Sequence, residues 1–145
     1  MHATLLKFGY PGTLLHESDQ WCVLLRPQQV TLAALVLCAK SEAASFAALP
    51  APAFAELAAV TGQIESSLRR FRAFDKINYL ALMMVDPHVH FHVLPRFAST
   101  QEFGGVSFAD SGWPGLPDLK QAAEVAPSVR AGLHAELLDA FSRNG

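Results

Sequence analysis

The sequence predicts an α+β fold, in which an antiparallel sheet of about five strands carries one main helix on one face and C-terminal helices follow. Three observations lead to this prediction. Residues 88–93 alternate strictly between polar and apolar side chains, the period of a strand with one buried face. Residues 54–71 repeat apolar side chains every three or four positions, the period of an amphipathic helix. Short apolar runs at 14–25 and 32–38, separated by turn residues, supply further strands.

Length and composition limit the possible classes of protein. The chain has 145 residues, 51% of them hydrophobic and 17% charged, with a formal net charge of −2. This length suits one well-filled domain and is short for two. Without a basic stripe or a long apolar run, we expect neither a nucleic-acid groove nor a membrane span. Cys22 and Cys38 lie in strand-like runs and are interpreted as buried thiols of a cytoplasmic protein.

The first half of the chain divides into strands and the main helix. A polar break at 17–19 splits the apolar run 14–25, and Arg26-Pro27-Gln28-Gln29 separates it from the run 32–38. We interpret Arg26 and Gln29 as exposed loop residues rather than as the mouth of a pocket. Pro50-Ala51-Pro52 opens the main helix, because proline is tolerated in a first turn. This helix should cover Val89, Phe91 and Val93.

Residues 75–85 predict a strand that Asp86-Pro87 joins to the histidine-rich strand, as an antiparallel neighbour. The side on which Asn78 lies depends on this turn. A two-residue loop places Asn78 away from the histidines, and a three-residue loop places it beside them. Proline fits poorly in a two-residue hairpin, so the longer loop is favoured and Asn78 becomes a candidate site residue.

The C-terminal part predicts an extension of the main domain. Residues 110–115 form a rigid turn around Trp113. Asp118 can cap a helix that reaches Ala126, and Ser128 can cap a last helix. We therefore predict a domain over residues 1–116 and a helical extension, residues 117–145, packed on the same domain.

Three histidines carry the chemistry that the sequence suggests. His88, His90 and His92 should project from one face of their strand, about 7 Å apart along one open surface. Imidazole can serve as base, acid or nucleophile near neutral pH. A metal site is the competing interpretation, since imidazole also binds zinc. His88 and His92 would lie about 13 Å apart, however, which is too far for one ion to bind all three rings.

The run His88-Val89-His90-Phe91-His92-Val93-Leu94 resembles the signature of the histidine triad family, in which three histidines alternate with apolar residues. The following Pro95-Arg96 is common in its Fhit-like and Ap4A-hydrolase-like branches. The resemblance implies a nucleotide-binding α+β fold, a homodimer, and hydrolysis or transfer of nucleotidyl groups without a cofactor. The substrates it implies are phosphoramidates or dinucleoside polyphosphates.

The resemblance also implies a role for each histidine. His90 matches the nucleophile, which forms a nucleotidyl-histidine intermediate while the backbone carbonyl of His88 holds its other nitrogen. His92 matches a group that binds phosphate oxygens, and either His88 or His92 would protonate the leaving group. Candidate substrate-binding residues are Asn78, Arg96 and Trp113.

The sequence departs from the family pattern in two places. No glycine-rich loop with Gln and Ser precedes the triad to hold phosphates, and Ala33-Ala34 stand where a Gly-His pair is usual. A substrate anion must then be held by the histidines, by backbone N–H groups or by another loop. Two alternatives therefore stay open, a nucleotide-binding module with weak or no catalysis and a metal-binding protein.

Overall fold

The computed structural model describes residues 1–143 and is built around one antiparallel sheet. Its strands are β1 (Leu14–Glu17), β2 (Trp21–Leu25), β3 (Gln28–Gln29), β4 (Leu35–Ala39), β5 (Lys76–Leu80), β6 (His90–Arg96), β7 (Gln101–Phe103), β8 (Val106–Phe108) and β9 (Ala123–Glu124). Its helices are α1 (Ala3–Lys7), α2 (Ala51–Phe71) and α3 (Pro127–Ser142), with 3₁₀ turns at Phe46–Ala48 and Leu119–Gln121. Five strands form the sheet in the order β1-β2-β4-β6-β5, and two short pairs, β3-β9 and β7-β8, lie outside it. The predicted α+β fold with a five-stranded antiparallel sheet is confirmed.

The register of the sheet separates two faces. Side chains directly opposite each other on neighbouring strands point to the same side. His90 opposes Cys38 and His92 opposes Val36, so both histidines lie on one side. We call this side the histidine face; its members on β2, β4 and β6 are Cys22, Leu24, Val36, Cys38, His90, His92, Leu94 and Arg96. The other side is the helix face.

The helix face holds the main core, as the apolar stripe of α2 predicts. Ile64 and Leu68 of α2 are buried together with Val89 and Val93, and Phe91 packs at the edge of the same cluster. Proline stands in the first turn of α2, where the missing N–H breaks no helical hydrogen bond. The prediction that this helix covers the reverse side of the triad strand is confirmed.

The N-terminal helix α1 covers the histidine face. Leu5 and Phe8 are buried against Cys22 and Cys38, which are free thiols without exposed surface. Burial raises the pKa of both thiols to about 12, so both stay protonated and unreactive at neutral pH. The prediction that both thiols are buried is thus confirmed. The histidine face, which was predicted to be open to solvent, instead holds a second hydrophobic cluster under α1.

The connection before the triad strand differs from the sequence prediction. Strand β5 ends at Leu80 and β6 begins at His90, so nine residues, 81–89, join them instead of a tight turn at Asp86-Pro87. The apolar residues 81–85 extended the predicted strand because composition alone cannot show that pairing stops. Asn78 nevertheless opposes Leu94 and so lies on the histidine side of the sheet, as the longer of the two predicted loops required.

The C-terminal segment also differs. Residues 118–126 hold only the 3₁₀ turn and β9, which pairs with β3, so the predicted helix there was wrong. The last helix begins at Pro127 without a side-chain cap, and it buries Leu133, Leu137 and Phe141 in the main core. Among the described residues, no helix combines the length and apolarity that crossing a membrane requires.

Candidate active site

His90 is held in one tautomer by the backbone beside it. Its Nδ1 lies 2.7 Å from the carbonyl oxygen of His88. A carbonyl oxygen can only accept a hydrogen bond, so Nδ1 must carry the hydrogen. In the neutral ring the lone pair is then on Nε2. The local geometry alone therefore gives His90 a nucleophilic Nε2.

The His90 ring is buried, but its Nε2 is not sealed. The side chain keeps only 1% of its surface exposed, because Phe8 packs against it with ring centroids 5.7 Å apart. Within residues 1–143, Nε2 forms no hydrogen bond, and it is not one of the enclosed atoms that lack a partner. The small exposed surface therefore includes this nitrogen. The open row predicted from the sequence is wrong; the structure has a covered ring with one edge reaching solvent.

His92 is buried beside His90 and is neutral at physiological pH. The two rings meet edge to face with centroids 5.1 Å apart, and His92 is 8% exposed. Burial, aided by the positive charge of Arg26, lowers the pKa of His92 to about 4. Its Nδ1 is enclosed and has no hydrogen-bond partner in the part of the chain that the structure describes.

Arg26 extends the histidine face beyond β2. Its backbone N–H bonds the carbonyl of Ala34, which continues the β2-β4 ladder by one residue, and alternation places its side chain on the side of Leu24. Nη1 donates to the Gln28 carbonyl at 2.6 Å, while Nε is enclosed and unpartnered among residues 1–143. Burial lowers the pKa of this guanidinium, against the opposing effect of Asp86. Arg26 thus lies in a loop, as predicted, but its side chain is half-buried rather than exposed.

His88 precedes β6 and is fixed by the N-terminal helix. Thr4 Oγ1 lies 2.8 Å from His88 Nδ1, and the His2 ring stacks on His88 with centroids 4.0 Å apart and planes 13° apart. Lys7 forms an ion pair of 2.8 Å with Asp86, which ties the same helix to the 81–89 loop. One short helix thus holds the first histidine and the loop that carries it.

The predicted substrate-binding residues come together at a different place. Asn78, Arg96 and Trp113 line a cavity of about 630 Å³ along the edge strand β5, and no histidine of the triad lines it. Arg96 is 3% exposed; it bonds Asp110 through two nitrogens, at 2.6 and 2.9 Å, and donates to Asn78 at 2.7 Å. Arg96 lies four positions after His92 on β6, about 13 Å along the strand.

Comparison with solved structures decides the fold. A histidine triad protein from Marinobacter aquaeolei is 20% identical, and the match covers 100% of this chain and 97% of that one at a TM-score of 0.74. A histidine triad protein from Bradyrhizobium japonicum is 19% identical, and the match covers 99% of this chain and 95% of that one at a TM-score of 0.73. A hypothetical histidine triad nucleotide-binding protein from Sulfolobus tokodaii is 15% identical, and the match covers 97% of this chain and 90% of that one at a TM-score of 0.70. The chain has the histidine triad fold.

Identities of this size show the fold, and membership of the histidine triad family stays a prediction, as does the branch within it. A scan against protein-family models found no match, and a search of curated proteins also found none. Among residues 1–143, no group of three or more His, Cys, Asp or Glu side chains is placed to hold a metal ion.

Sequence reasoning missed the parts of this histidine triad site that come from distant segments. His2 and Thr4 meet His88 across more than 80 positions, and no periodicity signals such a contact. The only local signal was His2 itself, whose Nδ1 accepts the N–H of Leu5 as a helix N-cap. Arg26 was noticed, but its burial follows from the sheet register, which the sequence did not provide.

Proposed function

We propose that the protein hydrolyses or transfers a nucleotidyl group, through a covalent intermediate on His90. One observation carries the proposal: the His88 carbonyl bonds Nδ1 of His90 at 2.7 Å and so leaves the lone pair on a solvent-reaching Nε2. The fold supports it, since solved proteins of this fold include one described as nucleotide-binding.

The first step forms one bond and breaks one. Nε2 of His90 attacks the phosphorus of the nucleotidyl group, and the bond to the leaving group breaks, with its electron pair going to that group. The ring becomes positively charged as the N–P bond forms. Nδ1–H then donates to the His88 carbonyl more strongly, which stabilises this charge. In the second step water attacks phosphorus and releases one proton to solvent, while the N–P bond breaks with its electron pair returning to Nε2, which restores the neutral ring.

We assign the phosphate oxygens to His92 and Arg26. A neutral His92 can donate an N–H to an oxyanion, and Arg26 contributes a permanent positive charge on the same side of the sheet. Both keep a nitrogen without a partner among the described residues, although buried polar groups are normally hydrogen-bonded. These two side chains would do the work of the phosphate loop that the sequence lacks.

The leaving group does not obtain its proton from His92. Protonated imidazole is the acid form, and the pKa of about 4 keeps His92 neutral at pH 7. Of the two histidines expected to assist the leaving group, this leaves His88.

The decisive test replaces His90 with glutamine. The Gln amide has no nucleophilic nitrogen, so we expect turnover of an adenylyl phosphoramidate or a diadenosine polyphosphate to be lost. Rapid quenching and intact-protein mass spectrometry should detect an adenylyl adduct on the wild type and none on His90→Gln. His134→Gln, on α3, is the matched control and should keep both activity and adduct.

Undiminished turnover by His90→Gln would overturn the assignment. The second candidate is a nucleotide-binding module without catalysis, favoured by the near-complete burial of His90 under Phe8. Calorimetry with AMP separates the two: binding by a wild type that turns over neither substrate supports the module.

The remaining expectations concern the cavity on β5 and the assembly. We propose that Asn78 and Trp113 contact the part of the substrate distant from phosphorus, while Arg96 holds Asn78 in place. We also propose a cytoplasmic homodimer; the edge position of β5 and the exposed Met84, Val85 and Leu116 agree with an interface there. Sedimentation analysis of the purified chain tests the dimer.

A further inference from the structure

The N-terminal helix supplies a hydroxyl group whose hydrogen has one acceptor in reach. Thr4 is 1% exposed, and within residues 1–143 its Oγ1 bonds only Nδ1 of His88, at 2.8 Å. A buried hydroxyl hydrogen without an acceptor costs stability. The Thr4 hydroxyl therefore donates to Nδ1, which leaves that nitrogen without a hydrogen and places the ring hydrogen on Nε2.

His2 prevents the His88 ring from turning away from this bond. Nε2–H of His2 donates to the Ala39 carbonyl at 2.7 Å, and its Nδ1 accepts from Leu5 N–H at 3.3 Å. With both nitrogens used, His2 is a fixed neutral ring, and burial lowers its pKa accordingly. It stacks on His88 at 4.0 Å, so rotation of the His88 ring would collide with it.

We propose that Thr4 and His2 are positioning residues, which hold His88 in the tautomer whose Nε2–H is left to donate to the leaving group. The proposal rests on the proposed function and narrows its substrate. A neutral imidazole donates a hydrogen bond but does not give up its last proton. Such a site favours a leaving group that departs as an anion, namely a phosphate oxygen of a phosphoanhydride, over an amine that must be protonated to leave.

The chemical step then needs no proton transfer. His90 Nε2 bonds phosphorus, the P–O bond to the leaving phosphate breaks, and the electron pair stays on that oxygen. The departing oxyanion accepts the hydrogen bond from His88 Nε2–H.

Two measurements test the proposal. The first is the tautomer of His88, read from ¹⁵N chemical shifts of histidine-labelled full-length protein at pH 7.5. We expect a hydrogen on Nε2 in the wild type and a mixture of tautomers in Thr4→Val. A wild-type ring with its hydrogen on Nδ1 overturns the proposal. This readout does not depend on turnover, so it remains decisive even if the proposed function fails.

The second measurement is kinetic and uses two substrates with the same adenylyl group, a diadenosine polyphosphate and adenosine 5′-phosphoramidate. The wild type should prefer the anhydride. Thr4→Val should lower kcat for the anhydride about tenfold, with KM little changed, because positioning is lost while binding is kept. Thr4→Ser keeps the hydroxyl and should restore kcat. Thr61→Val, on the surface of α2, is the matched control and should change nothing.

A double-mutant cycle shows whether Thr4 acts through His88. In a His88→Gln background the effect of Thr4→Val should disappear, since the group that it positions is gone. Additive losses in the two variants, or a wild-type preference for the phosphoramidate, would count against the proposal.

Discussion

At the scale of single residues, the site depends on which ring nitrogen carries hydrogen. His90 is fixed by a carbonyl, which only accepts, and His88 by a hydroxyl, which here donates. The two neighbours impose opposite tautomers on two histidines of one motif. The alternating pattern predicted the three rings, and the nucleophilic role of His90 stays a proposal. The tautomer of His88 depends on a residue 84 positions away, which no local pattern indicates.

The buried ring of His92 makes the stability of the protein depend on pH. Its folded-state pKa of about 4 lies below the unfolded value near 6.5, so the unfolded chain binds the proton first as the pH falls. The stability that His92 contributes is complete above about pH 6.5 and is lost as the pH falls to about 4. The shift corresponds to about 3 kcal/mol in the free energy of unfolding.

We predict that His92→Gln loses less stability on acidification than the wild type. Urea unfolding at pH 7 and pH 4 measures how much free energy of unfolding each protein loses on acidification. The loss in the variant should be smaller by up to about 3 kcal/mol. His2 and His16, whose pKa values are also lowered by burial, are present in both proteins and cancel. Equal losses in the two proteins would mean that His92 is not buried as a neutral ring.

At the scale of elements, the sequence predicted those that carry their own periodicity. The stripe of α2 and the alternation in β6 are local patterns; α2 forms where predicted, whereas β6 begins two residues later than the alternation indicated, at His90, and continues to Arg96. Helix α1 has only five residues, too few to be stable alone, so packing of Leu5 on the sheet must support it. Helix α1 covers the site. Because no sequence pattern predicted this helix, the histidine surface was expected to be open.

Gly62 and Gly112 test two different effects, the low helix propensity of glycine and the need for a residue without a Cβ in a tightly packed loop. Gly62 is exposed in α2, and a Cβ there would meet nothing within 4 Å, so Gly62→Ala should stabilise the protein by about 0.5–1 kcal/mol. A Cβ on Gly112 would overlap the Leu116 carbonyl oxygen, so Gly112→Ala must displace the loop that presents Trp113. We predict a higher Tm for the first variant and a lower Tm for the second by differential scanning calorimetry. The reverse order would contradict both arguments.

At the scale of the whole molecule, the question is whether the C-terminal helix is an appendage, as residues 117–145 were expected to be. Leu133 and Leu137 of α3 have no exposed surface and pack in the same cluster as Ile64 of α2 and Val93 of β6. The helix completes the core behind the triad strand. The sequence predicted only an extension, because the apolar face of this helix is a local pattern whereas its packing partners lie in distant segments.

Leu137→Ala tests this arrangement against a neighbour on the same helix. Leu137 is fully buried and Leu138 is 40% exposed, so truncating the first should cost about 2–5 kcal/mol and the second much less. If α3 shares the core, Leu137→Ala in a Trp113→Phe background lowers the midpoint of one cooperative transition, seen alike by far-ultraviolet circular dichroism and by fluorescence of the buried Trp21. An early loss of helix signal at unchanged Trp21 fluorescence would instead make α3 a separate unit. If α3 shares the core, Leu137→Ala on the helix face should also loosen the packing against the opposite side of β6, which carries His90 and His92.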